Sequence, residues 1–78
     1  MRRYGDPYSG KKYLLNKNTG EIHDLDKEDE DNCKINQISV EHVVTFDSIE
    51  QAFRDAHLFT DKKPINGCAH CLPKYDLG

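Results

Sequence analysis

The sequence predicts a small α+β domain: short antiparallel strands, arranged as a hairpin plus a third strand, with one main amphipathic helix. Three observations carry this expectation. Two short apolar segments flank the turn-forming stretch Asn16-Lys17-Asn18-Thr19-Gly20. A β-branched and aromatic run, His42-Val43-Val44-Thr45-Phe46, stands apart from them. Directly after that run come helix-start residues and a helical apolar spacing.

Residues 1–10 contain two Gly, a Pro and an Asp, and read as a flexible N-terminal arm. Residues 11–25, KKYLLNKNTGEIHDL, read as the hairpin. Asn and Gly in its turn tolerate positive φ, and Tyr13-Leu14-Leu15 and Glu21-Ile22-His23-Asp24-Leu25 supply the strands. On a strand, Ile22 and His23 point to opposite faces. The stretch 26–32, DKEDEDN, is a solvated acidic loop by composition. It fails as an EF-hand, because a register begun at Asp24 puts Asp29 where Gly is needed and Ile35 where the bidentate Glu belongs.

Ile35 and Ile38 suit a single helical turn. The run 42–46 is a strand by residue type. Ser48 with Gln51, or Asp47 with Glu50, forms a capping box. Ile49, Ala52, Phe53 and Ala56 then fall on one helical face, and the helix is expected to end near Leu58. Pro64 and Gly67 break the chain before Cys68-Ala69-His70-Cys71. The expected core is Leu14, Ile22, Ile35, Val44, Phe46, Ile49, Ala52 and Phe53. The domain is expected over 11–73, with 74–78 as a short tail.

A chain of 78 residues, 36% hydrophobic and without Trp, cannot bury much. Its mean hydropathy is −0.85. Cores of this size supply only about 3–5 kcal/mol, so a disulfide or a metal is the expected staple. Three cysteines cannot complete a disulfide framework within one chain. The opening MRRYGDPYSGKKY has no apolar run of the signal-peptide kind, and no stretch is long and apolar enough to span a bilayer. The expected setting is therefore the reducing cytoplasm, with no membrane partner. There, C-x-x-C is more often metal-binding or catalytic than a structural disulfide.

A structural zinc site takes four Cys or His ligands in a tetrahedron. Cys68 and Cys71 supply two from a tight turn that Gly67 permits. Cys33 is the remaining thiol and the natural third. Four histidines compete for the fourth position: His23, His42, His57 and His70. His23 leads because the acidic loop between it and Cys33 can bulge out and leave its ends close. His70 lies inside the CxxC, where it points away while its neighbours bind. A thioredoxin-like redox pair is the competing reading of the CxxC. It requires a helix after the motif to lower a thiolate pKa, and only seven residues follow Cys71.

The segments GEIHDLDKEDEDNC, Val-Thr-Phe-Asp-Ser-Ile-Glu-Gln-Ala-Phe and CAHCLP together resemble a family of small bacterial zinc-binding domains. That family is similar to the N-terminal metal-binding domain of the Ada DNA-repair protein. The likeness spans roughly residues 12–73. It implies His23 as the first ligand of Zn2+, Cys33 as the second, and Cys68 and Cys71 as the third and fourth. Nine residues separate His23 from Cys33, where the family pattern has a shorter gap, and FTDKKPING lengthens the loop before the CxxC. Both insertions fall in loops, where added length costs little.

The Ada domain transfers a methyl group to a cysteine at the first ligand position. His23 stands there in this chain and cannot do thiolate chemistry. The resemblance therefore implies the fold and the metal site rather than methyl transfer. A net charge of −3 also argues against nonspecific DNA binding. The expected function is a monomeric, non-enzymatic interaction module for protein or nucleic acid, held in shape by zinc. The competing class is a zinc-thiolate methyl acceptor or small zinc enzyme in nucleic-acid metabolism. The cations Arg2, Arg3, Lys11, Lys12 and Lys17 lie in the N-terminal third and the acids crowd 24–31. That asymmetry offers a footing for a partner or is simply a solvated surface.

Overall fold

The computed structural model describes residues 2–28 and 30–76. Met1 of the arm, Asp29 of the acidic loop, and Leu77 and Gly78 of the tail lie outside the described residues. The elements run β1 (Tyr13–Asn16), β2 (Glu21–Asp24), α1 (Glu30–Cys33), β3 (Val43–Phe46), α2 (Ile49–Asp55) and β4 (Asn66–Gly67). Single 310 turns cover Ile35–Gln37, Val40–His42, Ala56–Leu58 and Pro73–Tyr75. This is the α+β arrangement of a hairpin, a third antiparallel strand and one main helix.

The hairpin closes through Asn16, whose carbonyl accepts the N–H of Gly20 at 2.8 Å. Gly20 has φ +78°, and a Cβ there would sit 2.9 Å from the Lys62 side chain. Both the sterics and the dihedral call for glycine. β1 pairs antiparallel with β2 on one side and with β3 on the other. β4 then adds to β2 in parallel, giving the order β3-β1-β2-β4. The parallel fourth strand is not part of the sequence expectation. It is two residues long and carries no apolar alternation.

The register sorts the side chains into two layers. Leu14, His23 and Thr45 lie level across the sheet on one face, and Leu15, Ile22 and Val44 on the other. Beneath the second face packs α2, started by Ser48, whose Oγ accepts the Gln51 N–H at 3.1 Å. Leu15, Ile22, Phe46, Ala52, Ala56 and Leu72 form that cluster. The first face is covered by Leu25, Ile35 and the three cysteines, packed with Leu14 and Val43.

Because both faces are covered, Leu14 and Leu15 are equally inaccessible. A reading by strict alternation admits only one of them. Of the expected core, Leu14, Ile22, Ile35, Phe46 and Ala52 are buried, whereas Val44, Ile49 and Phe53 are only partly so. Leu15, Leu25, Val43, Ala56 and Leu72 complete it.

The arm folds back onto the acidic segment. Arg2 grips Asp26 through two hydrogen bonds of 2.9 and 3.0 Å. Arg3 donates to Glu28 at 2.6 and 3.2 Å, and that carboxylate side chain is only 2% exposed. Lys12 lies 3.8 Å from Asp24, and Lys11 pairs with Asp47 at 2.8 Å. Arg2, Arg3 and Lys12 of the basic N-terminal third thus meet carboxylates of the acidic stretch within the molecule. Among the described residues, no helix is long and apolar enough to cross a membrane.

Candidate metal centre

His23, Cys33, Cys68 and Cys71 converge on the first face of the sheet. One donor atom from each lies within 4.8 Å of all the others, and all four residues are buried. Each comes from a different local structure. β2 points His23 inward at the position level with Leu14. α1 ends on Cys33. Cys68 directly follows β4, and its N–H donates to the Ile22 carbonyl at 2.9 Å, extending the parallel pairing. The chain then turns tightly, with the Leu72 N–H donating to the Cys68 carbonyl at 2.8 Å, and this brings Cys71 back to the group. Gly67 makes the turn possible: a Cβ there would lie 2.7 Å from the Tyr75 Cβ and 2.9 Å from the Leu72 carbonyl oxygen.

The spacing fits a tetrahedral ion. With metal–sulfur bonds of about 2.3 Å and a metal–nitrogen bond of about 2.0 Å, the sulfur–sulfur edges are about 3.7 Å and the sulfur–nitrogen edges about 3.5 Å. Cys33 Sγ lies 3.5 Å from Cys68 Sγ, and Cys71 Sγ lies 3.6 Å from His23 Nδ1. These two edges match the ideal values, and the four side chains together could hold a metal ion.

The surroundings suit such an ion. Burial lowers the pKa of His23 to about 4, so the imidazole is neutral at physiological pH, as a ligand must be. Nδ1 faces Cys71 Sγ at 3.6 Å, while Nε2 lies 3.2 Å from Glu21 Oε1. A proton on Nε2 leaves the Nδ1 lone pair free for the metal. Burial also raises Glu21 above the usual carboxylate range. Burial, with Cys33 and Cys68 alongside, pushes the Cys71 thiol strongly upward. A bound divalent cation reverses that preference and deprotonates the thiols. Two sulfurs already accept backbone donors, Cys71 from the Asp24 N–H at 3.3 Å and Cys68 from the His70 N–H at 3.4 Å. Such bonds favour thiolate over thiol.

The other histidines stand outside the group. His57 and His70 are exposed, and His42 is half-buried just before β3. His42 lines, with Glu21, His23, Cys33, Lys34 and Gln37, an open cleft of about 420 Å³ beside the four residues. Glu21, which the sequence places only as a strand residue, lies beside the group. Its signal is the strand spacing: residues two apart on β2 share a face, so Glu21 necessarily accompanies His23.

No protein-family model matches the chain, and neither a curated protein nor a solved structure matches it. The functional reading therefore rests on the residues themselves.

Proposed function

We propose that the ion is zinc, that it is structural, and that the folded chain is a non-enzymatic interaction module for protein or nucleic acid. The observation that carries this is the convergence of three cysteines and one histidine, all buried, with one donor atom from each within 4.8 Å of the others. Thiolate with imidazole is a donor set that suits zinc. Four protein ligands leave no open position for water, which is the mark of a structural rather than a catalytic site. The three cysteines are also part of the core on that face, so holding the ion and holding the fold are one event. The resemblance to the Ada metal-binding domain implies the same ligand set. Three unoxidised cysteines fit the reducing cytoplasm, and a monomer is the simplest working form.

One observation favours the second reading, a thiolate acceptor or small zinc enzyme in nucleic-acid metabolism. Cys33 is the most exposed of the three thiols, at 7%, and it lines the cleft beside the group. Alkylation of the metal-loaded protein separates the two readings. Uniform resistance of all three cysteines supports a closed structural site, and selective modification of Cys33 supports the acceptor.

Native mass spectrometry of wild type and His23→Ala, purified without added metal, tests the main proposal. One zinc per wild-type chain, lost or weakened in the variant, supports it. Equal zinc in both removes His23 from the ligand set. An absence of metal in the wild type sinks the zinc reading.

A further inference from the structure

The second cleft of the molecule lies away from the four converging residues, where the hairpin turn meets the segment after α2. It has a volume of about 610 Å³, and its lining includes Lys17, His57, Leu58, Phe59, Asp61 and Lys63. That size is within the range of clefts that hold a small ligand. We propose that this cleft docks an acidic peptide segment carrying an apolar side chain. The inference rests on the interaction-module reading and names the partner's chemistry.

Three observations point to that occupant. The first is apolar surface left in water. Leu58 is 67% exposed and Phe59 46%. They are neighbours in sequence and both line the cleft, so they form one patch rather than scattered residues. The second is charge. Arg2, Arg3, Lys11, Lys12 and Arg54 all meet a carboxylate of the chain. Among the described residues, Lys17, Lys62 and Lys63 make no ion pair; Lys27, Lys34 and Lys74 make none either, but they lie outside this cleft, where Lys17 and Lys63 stand together. Asp61 is the lone carboxylate of the lining. The cleft is cationic on a chain whose net charge is −3, so it is a local site for an anionic partner rather than part of a basic surface.

The third observation is rigidity. The Thr60 hydroxyl donates to the Lys17 carbonyl at 2.7 Å, and the Lys17 N–H donates to the His42 carbonyl at 2.8 Å. The Phe59 ring stands edge-on to the buried Phe46 at 6.0 Å between centroids. Both walls are thus tied to the sheet, which lowers the ordering cost of docking. A nucleic acid fits less well. Stacking platforms present successive aromatic rings along a basic groove, and this cleft offers one ring, already packed on one edge.

The test is selection of random 12-residue peptides displayed on phage against the metal-loaded chain, with counter-selection on the Lys17→Glu/Lys63→Glu double variant. Metal content and the backbone amide NMR spectrum are checked first for both proteins. Enriched peptides should be rich in Asp and Glu around a Phe, Leu or Trp. A synthetic copy should shift the amide signals of residues 17 and 57–63. Its binding should weaken about tenfold in the double variant and several-fold in Leu58→Ala, an exposed position whose truncation leaves the core intact. Enrichment of neutral or basic peptides, no enrichment, or shifts elsewhere on the molecule overturns the inference. So does a 12-mer of deoxythymidine that shifts the same signals more strongly than the peptide. Metal bound with a native spectrum but no such peptide refutes the cleft alone, whereas loss of metal and fold in the wild type refutes the module reading beneath it.

Discussion

Replacing Glu21 with Ala should weaken metal binding without unfolding the chain. The Glu21 carboxylate faces His23 Nε2 at 3.2 Å, while Nδ1 faces Cys71 Sγ. At that distance the carboxylate is placed to accept a proton from Nε2, and with an ion bound at Nδ1 such a contact would favour the Nε2–H tautomer and help orient the ring. Removing such an outer partner costs about 10–100-fold in metal affinity. The Glu21 side chain is 39% exposed, so solvent screens part of its effect. The lower end applies: about tenfold, or roughly 1.4 kcal/mol. Glu21→Gln should lose less, since an amide oxygen still accepts the Nε2 proton without adding charge. Glu50→Ala, at an exposed site on α2, controls for the change in net charge. The assay is competition for zinc against a chromophoric chelator, with circular dichroism to show the fold is kept. If Glu21→Ala binds zinc as tightly as wild type, or no more weakly than Glu50→Ala, the orienting role assigned to Glu21 is wrong.

Three further outcomes can be checked. Chelation should unfold the protein, and Cys68→Ser should not fold at all, because the thiols are part of the core they help to close; a native spectrum in excess chelator refutes this. Acid should destabilise the metal-loaded chain. His23 is held near pKa 4 when folded against an ordinary 6.5, so its contribution is present above about pH 6.5 and is lost as pH falls toward 4. The slope is about 1.4 kcal/mol per pH unit, and a bound ion only lowers the folded value further. A urea midpoint unchanged between pH 7.5 and 5 contradicts it. Arg3→Ala should cost about 1–3 kcal/mol in the same urea assay, because it removes a cation from a carboxylate that is only 2% exposed; a loss under a few tenths means the arm adds little.

The elements most legible in the sequence are those with strong local signals. The hairpin announces itself through its Asn and Gly turn, and α2 through its cap and apolar face. The converging group is legible because cysteine is scarce and its spacing is constrained. Less legible is whatever depends on distant packing. β4 exists only because Asn66 and Gly67 find the edge of β2, and nothing within two residues encodes that pairing. Leu15 and Val43 are buried because a second layer covers each face, which alternation along a strand does not reveal. The ion pairs of Arg2 and Arg3 bridge about two dozen positions, so composition shows two charged blocks but not that they meet.

The parallel seam between β2 and the residues leading into Cys68 fixes the order of events during synthesis. His23 and Cys71 are 48 positions apart, and Cys33 and Cys68 are 35 apart. A nascent chain emerging from the ribosome exposes the hairpin and one thiol long before the last two sulfurs appear. Until then it has two of four ligands, too few for tight capture of an ion. The hairpin must wait with one face uncovered, since closing so long a loop has to precede any gain from the contacts it makes. If the group holds an ion as proposed, its capture has to wait until Cys68 and Cys71 have been made. A chain interrupted before Cys68 would lack two of the four candidate ligands and would stay open to proteolysis.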